Sequence, residues 1–167
     1  MSLEQASLLA QIISAIAVFA SLIFVGVQLQ QNTKAVRAAS SQAHSATYLG
    51  LTTPIVSDTE FSRIWRQGMA SIDSLSGSEV VRFFAFASGL FRFFESSRVQ
   101  WLRGQLDNEH WHTIEQQAIS FSVQPGIKSF WRMRRHWHCQ EFRNWFEMLP
   151  ESEARPIYYE RVSATSP

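Results

Sequence analysis

The sequence predicts an all-α protein: one N-terminal transmembrane helix continuing into a small bundle of about five helices. Three observations carry that expectation. An uncharged apolar run opens the chain. Beyond it, apolar residues recur at helical spacings and no stretch alternates as a strand would. Cap and stop signals then cut the remainder into helix-sized pieces.

The run comes first. Leu8 to Val27 reads LLAQIISAIAVFASLIFVGV, and sixteen of these twenty residues are apolar. As a helix it is roughly 30 Å long at about 1.5 Å per residue, the thickness of a bilayer's hydrocarbon. A helix satisfies its own backbone hydrogen bonds, so it can cross lipid. A cleaved signal peptide would want a basic n-region and a small-x-small site after a shorter core. Here the start is MSLEQAS, and the large Val25, Val27 and Leu29 leave no small-x-small site at the end of the core. The chain therefore divides into a short N-terminal tail (1–7), a transmembrane helix (8–29), a juxtamembrane helix (30–51), a helical bundle (57–149) and a C-terminal tail (150–167).

All fifteen Lys and Arg lie at or beyond position 34. Lys34 and Arg37 flank the C-terminal side of the run, whereas Glu4 offsets the amine on the other. The positive-inside rule places the N-terminus out and the C-terminal domain in the cytoplasm. The single cysteine, Cys139, excludes an internal disulfide framework and fits a reducing compartment.

Two faces are distinguishable in the anchor. Ala10, Ser14, Ala17 and Ser21 recur at four, three and four and share a small, slightly polar face. Ile12, Ile16, Phe19 and Ile23 repeat the spacing about 200° away. Small residues let helix backbones approach closely in lipid, and serines hydrogen-bond across the contact. The small face is thus the candidate helix–helix interface, for self-association or for another membrane protein. Gln11 beside it prefers a partner to bare lipid.

Gln28 to Leu51 continues the helix, with a thin apolar stripe of Leu29, Val36, Ala39, Ala43, Ala46 and Leu49, and Pro54 is expected to end it. Ser57-Asp58-Thr59-Glu60 is a capping-box pattern for a short helix through Phe61, Ile64 and Trp65, stopping at Gly68. Ser76-Gly77-Ser78-Glu79 is a second one. It opens the longest bundle helix, through about Leu102, with Gly104 as its stop. That helix carries Phe83, Phe84, Phe86, Phe91, Phe93 and Phe94 on several faces. Arg82, Arg92, Glu95, Arg98 and Arg103 argue against a second membrane span and for the centre of a bundle. Asp107 caps a helix from Asn108 to about Val123. Pro125 and Gly126 mark a turn. Ile127–His138 and Glu141–Leu149 complete the bundle, and the tail from Pro150 is polar.

The junction Gln30-Gln31-Asn32-Thr33-Lys34-Ala35-Val36-Arg37-Ala38-Ala39, followed by Arg63-Ile64-Trp65-Arg66-Gln67-Gly68, resembles a widespread family of small bacterial single-pass membrane proteins. The likeness extends through the Phe-rich helix and the Trp-rich end. It implies a bacterial inner (cytoplasmic) membrane and the same anchor-plus-bundle layout, and it implies no activity or functional residues.

Catalytic chemistry finds no motif. Glu109 and His112 form one Glu-x-x-His element, but a di-iron bundle needs a second plus two more glutamates. His110 and His112 point about 200° apart on a helix. His136, His138 and Cys139 fall short of a zinc set, and no signature surrounds Cys139 as a nucleophile. No cofactor or metal is expected, and an enzyme is the least favoured reading. Lys128, Arg132, Arg134, Arg135 and Arg143 concentrate positive charge among Trp131, Trp137 and Trp145. The pattern fits first a core helix whose tryptophans face inward and whose arginines face water; as the alternative, Lys128, Trp131, Arg132, Arg134 and Arg135 are the candidate contact with an anionic membrane surface. A net charge of +1 makes a nucleic-acid partner a weak reading. Glu95, three residues from Arg92 and from Arg98, is expected in an ion-pair cluster.

Overall fold

The computed structural model describes residues 3–151; Ala10 is among the few of these whose side chains lie outside the description. The fold is all-α, with no strand among the described residues. Helix α1 spans Leu3–Ser57, α2 Thr59–Ala70, α3 Gly77–Leu102, α4 Asn108–Ser122, α5 Pro125–Arg134 and α6 Gln140–Glu147. Short 3-10 turns precede α3 and α6. The contacts separate into two units, residues 1–39 and 40–167.

In the first unit, α1 has begun by Leu3, so the helix takes in most of the expected N-terminal tail. From Gln11 to Ala39 every residue is exposed. Its most apolar eighteen-residue window has a mean hydropathy of 2.4, with none of it buried. It is the one helix among the described residues long and apolar enough to cross a membrane.

The second unit is built around α3, which contacts α2, α4 and α5. Glu79 starts α3: its carboxylate accepts the backbone N–H of Ser76 at 2.7 Å. Gly104 ends it at φ +70°, where the N–H of Gly104 reaches Trp101 O and that of Gln105 reaches Gln100 O, both at 2.9 Å. Five of the six central phenylalanines are buried and Phe86 is half-buried. Phe91 is fully buried and touches Phe130, Trp131 and Phe146 at ring separations of 5.0, 5.3 and 4.9 Å. A helix apolar on several faces is therefore spent on several neighbours. Asp107 caps α4 as expected, accepting the N–H of His110 at 2.9 Å.

Three boundaries differ from the sequence reading. Pro54 does not end α1, which continues to Ser57. Proline removes one donor, and neighbouring hydroxyls bond back to the helix: Thr53 to Leu49 O and Ser57 to Thr53 O, both at 2.8 Å. With the Ser57 hydroxyl turned back into α1, the cap of α2 passes to Asp58, whose Oδ1 accepts the N–H of Phe61 at 3.0 Å. Gly68 does not stop α2, and Pro125 and Gly126 are not a turn; they open α5, with Pro at its first position. The two glycines mark a crossing instead. A Cβ on Gly126 would lie 1.7 Å from the carbonyl oxygen of Gly68, and one on Gly68 would lie 2.4 Å from the ring of Phe83. The tail beyond Glu151 lies outside the described residues.

Candidate functional site

Four places hold chemistry or exposed apolar surface. The first is the anchor face. Ser14, Ala17 and Ser21 are exposed along α1; the side chain of Ala10 lies outside the described residues. The Ser21 hydroxyl donates to Ala17 O at 2.9 Å, so it needs no second partner to be satisfied in lipid.

The second is Glu95 on α3. It gathers His138 (Nδ1 to Oε2, 2.8 Å), the backbone N–H of Cys139 (2.8 Å) and Arg92 (3.2 Å). Cys139 is the N-cap residue of α6, so a carboxylate from α3 serves the start of that helix. Burial pushes the Glu95 carboxyl up, but the hydrogen bonds from Cys139 N–H and His138 outweigh it and hold the group below the ordinary carboxylate value. His138 is buried and lies flat against Trp131 at 5.5 Å. The Cys139 side chain is exposed and in no disulfide, and its thiol adds to the hydrogen bonds on Glu95. This arrangement fixes the turn between α5 and α6. Arg98 does not join it: its Nε pairs with Glu141 at 2.7 Å and its guanidinium lies 4.9 Å from the Trp145 ring.

The third is a buried polar knot that the sequence reading missed. His44 of α1 meets Gln100 Oε1 through Nε2 at 2.9 Å and Ser97 Oγ through Nδ1 at 3.2 Å. Ser40 donates to the same Gln100 oxygen at 2.6 Å. These bonds tie the C-terminal half of α1 to α3. A lone His among Ala and Ser gave no signal, because its partners lie more than fifty positions away.

The fourth is the basic Trp-rich end, and the structure corrects its membership. Trp131 is 8% exposed and stacked on Phe91, so its indole cannot reach a membrane surface. Trp145 is equally buried. Trp137 is 48% exposed instead, with the Arg134 guanidinium 4.3 Å from its ring. Lys128 pairs with Glu151 at 2.7 Å and Arg135 with Glu147 at 3.0 Å; Arg132 reaches the Ser129 hydroxyl at 3.0 Å. Beside Trp137 an open apolar groove of about 530 Å³ is lined by Val80, Val81, Phe84 and Met133.

His110 turns to its own cap, Asp107, at 2.8 Å, and His112 and His136 are exposed. Among the described residues no group of three or more His, Cys, Asp or Glu side chains converges as a metal ion requires. No family model, curated protein or solved structure matches the chain.

Proposed function

We propose that the protein is a membrane-anchored helical interaction protein, self-associating and without catalytic activity of its own. It sits in the bacterial inner membrane with its N-terminus out and its bundle in the cytoplasm. The observation that carries this reading is the contrast within α1. Its residues 11–39 are exposed on every side and uncharged until Lys34, whereas its later part is held to α3 through His44. Lipid accounts for the apolar stretch, and a second helix would account for the small and polar residues set into it. The Lys34 and Arg37 flank supports the orientation. The test is crosslinking in membranes of the wild type against Ser14→Leu and Ala17→Leu. Weakened crosslinking in either variant supports an interface on the small face, and unchanged crosslinking in both removes that face from the reading.

The exposed Trp137 and Met133, with the half-buried Arg134 beside them, favour a second reading, an accessory or sensory subunit whose bundle touches the inner leaflet. Residues 40–167 would then bind anionic vesicles in preference to neutral ones. Equal binding to both would remove the electrostatic argument.

A further inference from the structure

A second pattern runs along the exposed part of α1. Leu22, Val25, Leu29, Asn32, Val36 and Ala39 are spaced three, four, three, four and three apart. That is the seam of a coiled coil, with Leu22, Leu29 and Val36 at heptad position a and Val25, Asn32 and Ala39 at d. Counting back by sevens from Asn32 reaches Gln11. The amide that most needs a partner in lipid thus shares a column with the one in the juxtamembrane stretch. All six seam residues are exposed; Leu29 is 68% and Val36 48% accessible.

Three further features say what covers the seam. Charge is kept away from it: Lys34 and Arg37 fall at f and b. The flanking e and g positions hold Gly26, Thr33, Gln28 and Ala35. Two parallel copies would therefore meet without like charges opposed. Val25, Gln28, Leu29 and Asn32 line one open groove on this helix. Successive d, g, a and d residues are the four that form the hole for a partner's a residue. Finally, the stretch beyond the apolar run is short and wholly exposed. In the second unit, Ala43 and Ala46 carry the same spacing onward and stay exposed, while His44 and Tyr48 pack against Phe93 of α3.

We infer that Leu22–Ala39 is a parallel coiled-coil seam whose occupant is a second copy of this chain. Leu29 of each copy fills the Val25–Gln28–Leu29–Asn32 groove of the other, and the two Asn32 amides pair across the axis. Two chains inserted in one membrane with the same orientation are parallel, which brings like positions together. The inference rests on the self-association reading and moves its contact. Ser14 and Ser21 fall at g, on the flank of the seam, whereas Ala10 and Ala17 fall at c, outside it.

The experiment is disulfide scanning of the full chain in membranes. Cys139→Ser supplies a background without the native thiol and retains the backbone N–H that Glu95 accepts. Single cysteines then replace Leu29, Asn32 and Val36 in the seam, Gln30 and Lys34 outside it, and Ala17 and Ser21 on the small face. Strong oxidative dimerisation at 29, 32 and 36 with little at 30 and 34 is the expected result. Dimerisation at 17 and 21 with none at 29, 32 and 36 overturns the seam and keeps self-association. No dimer at any position overturns both. Uniform dimerisation at all positions reports collision and overturns the seam.

Discussion

Two helices in this chain are rich in large apolar residues, and they do opposite things with them. α1 carries Leu, Ile, Val and Phe from residue 8 to 27 and leaves every described one of them exposed. α3 carries six phenylalanines and buries five. What separates them is charge and its partners. Each of three arginines along α3 meets a carboxylate: Arg82 meets Asp58 at 2.8 Å, Arg92 meets Glu95 and Arg98 meets Glu141. Such a helix belongs inside a protein, where neighbours supply both rings and counter-charges. Between Glu4 and Lys34 α1 has no charge to answer, and that stretch is long and apolar enough to cross a membrane.

The largest expected effect breaks the bundle and leaves the anchor untouched. Gly126→Ala drives a methyl group into the Gly68 carbonyl, and backbone has nowhere to yield as a side chain would. The cost is expected to exceed ~3 kcal/mol, the upper end of ordinary overpacking. Denaturant unfolding followed by tryptophan fluorescence measures it, because all six tryptophans lie at or beyond Trp65. A variant as stable as the wild type would show that α2 and α5 do not cross at these glycines.

Phe91→Ala should come next. It removes a fully buried ring from contact with five other aromatic side chains besides His138, and costs about 3–5 kcal/mol. The same substitution at Phe19, 70% exposed in α1, should leave the unfolding midpoint unchanged. Equal losses at the two positions would erase the distinction between the helices.

The smallest effect is on acid stability. The Arg63 guanidinium, with the Ser76 backbone N–H, holds the Glu79 carboxyl down from 4.5 to about 2. A group depressed in the folded state stabilises fully above its ordinary value and loses that contribution as pH falls from 4.5 towards 2. Glu95, also lowered, acts in the same direction. Glu79→Gln should therefore be less stable near neutrality and flatter through the acid range. An acid limb as steep as the wild type's would contradict the Arg63 pairing.

Legibility followed range. The cap at Glu79, the stop at Gly104 and the cap at Asp107 were readable because each is settled within a few residues. The Phe-rich centre was readable from its own composition. Pro54, Gly68 and Gly126 were misread for one reason: a local breaker signal says nothing of the distant surface that overrides it. Gly68 and Gly126 are small because two helices touch there. The arginines around Trp131 left a core place and a membrane surface both open, and the core reading holds: Phe91 and Phe146 close over its ring. Glu95 was placed among ion pairs, but its bonds to His138 and Cys139 span more than forty residues. His44 gave no sign at all.

The claim beneath all of this is that α1 lies in lipid. Alkaline carbonate extraction of membranes from cells making either the full chain or residues 40–167 tests it most directly. The full chain should stay in the membrane pellet and the shorter one should be released to the supernatant. A full chain released as readily as the fragment would contradict the account.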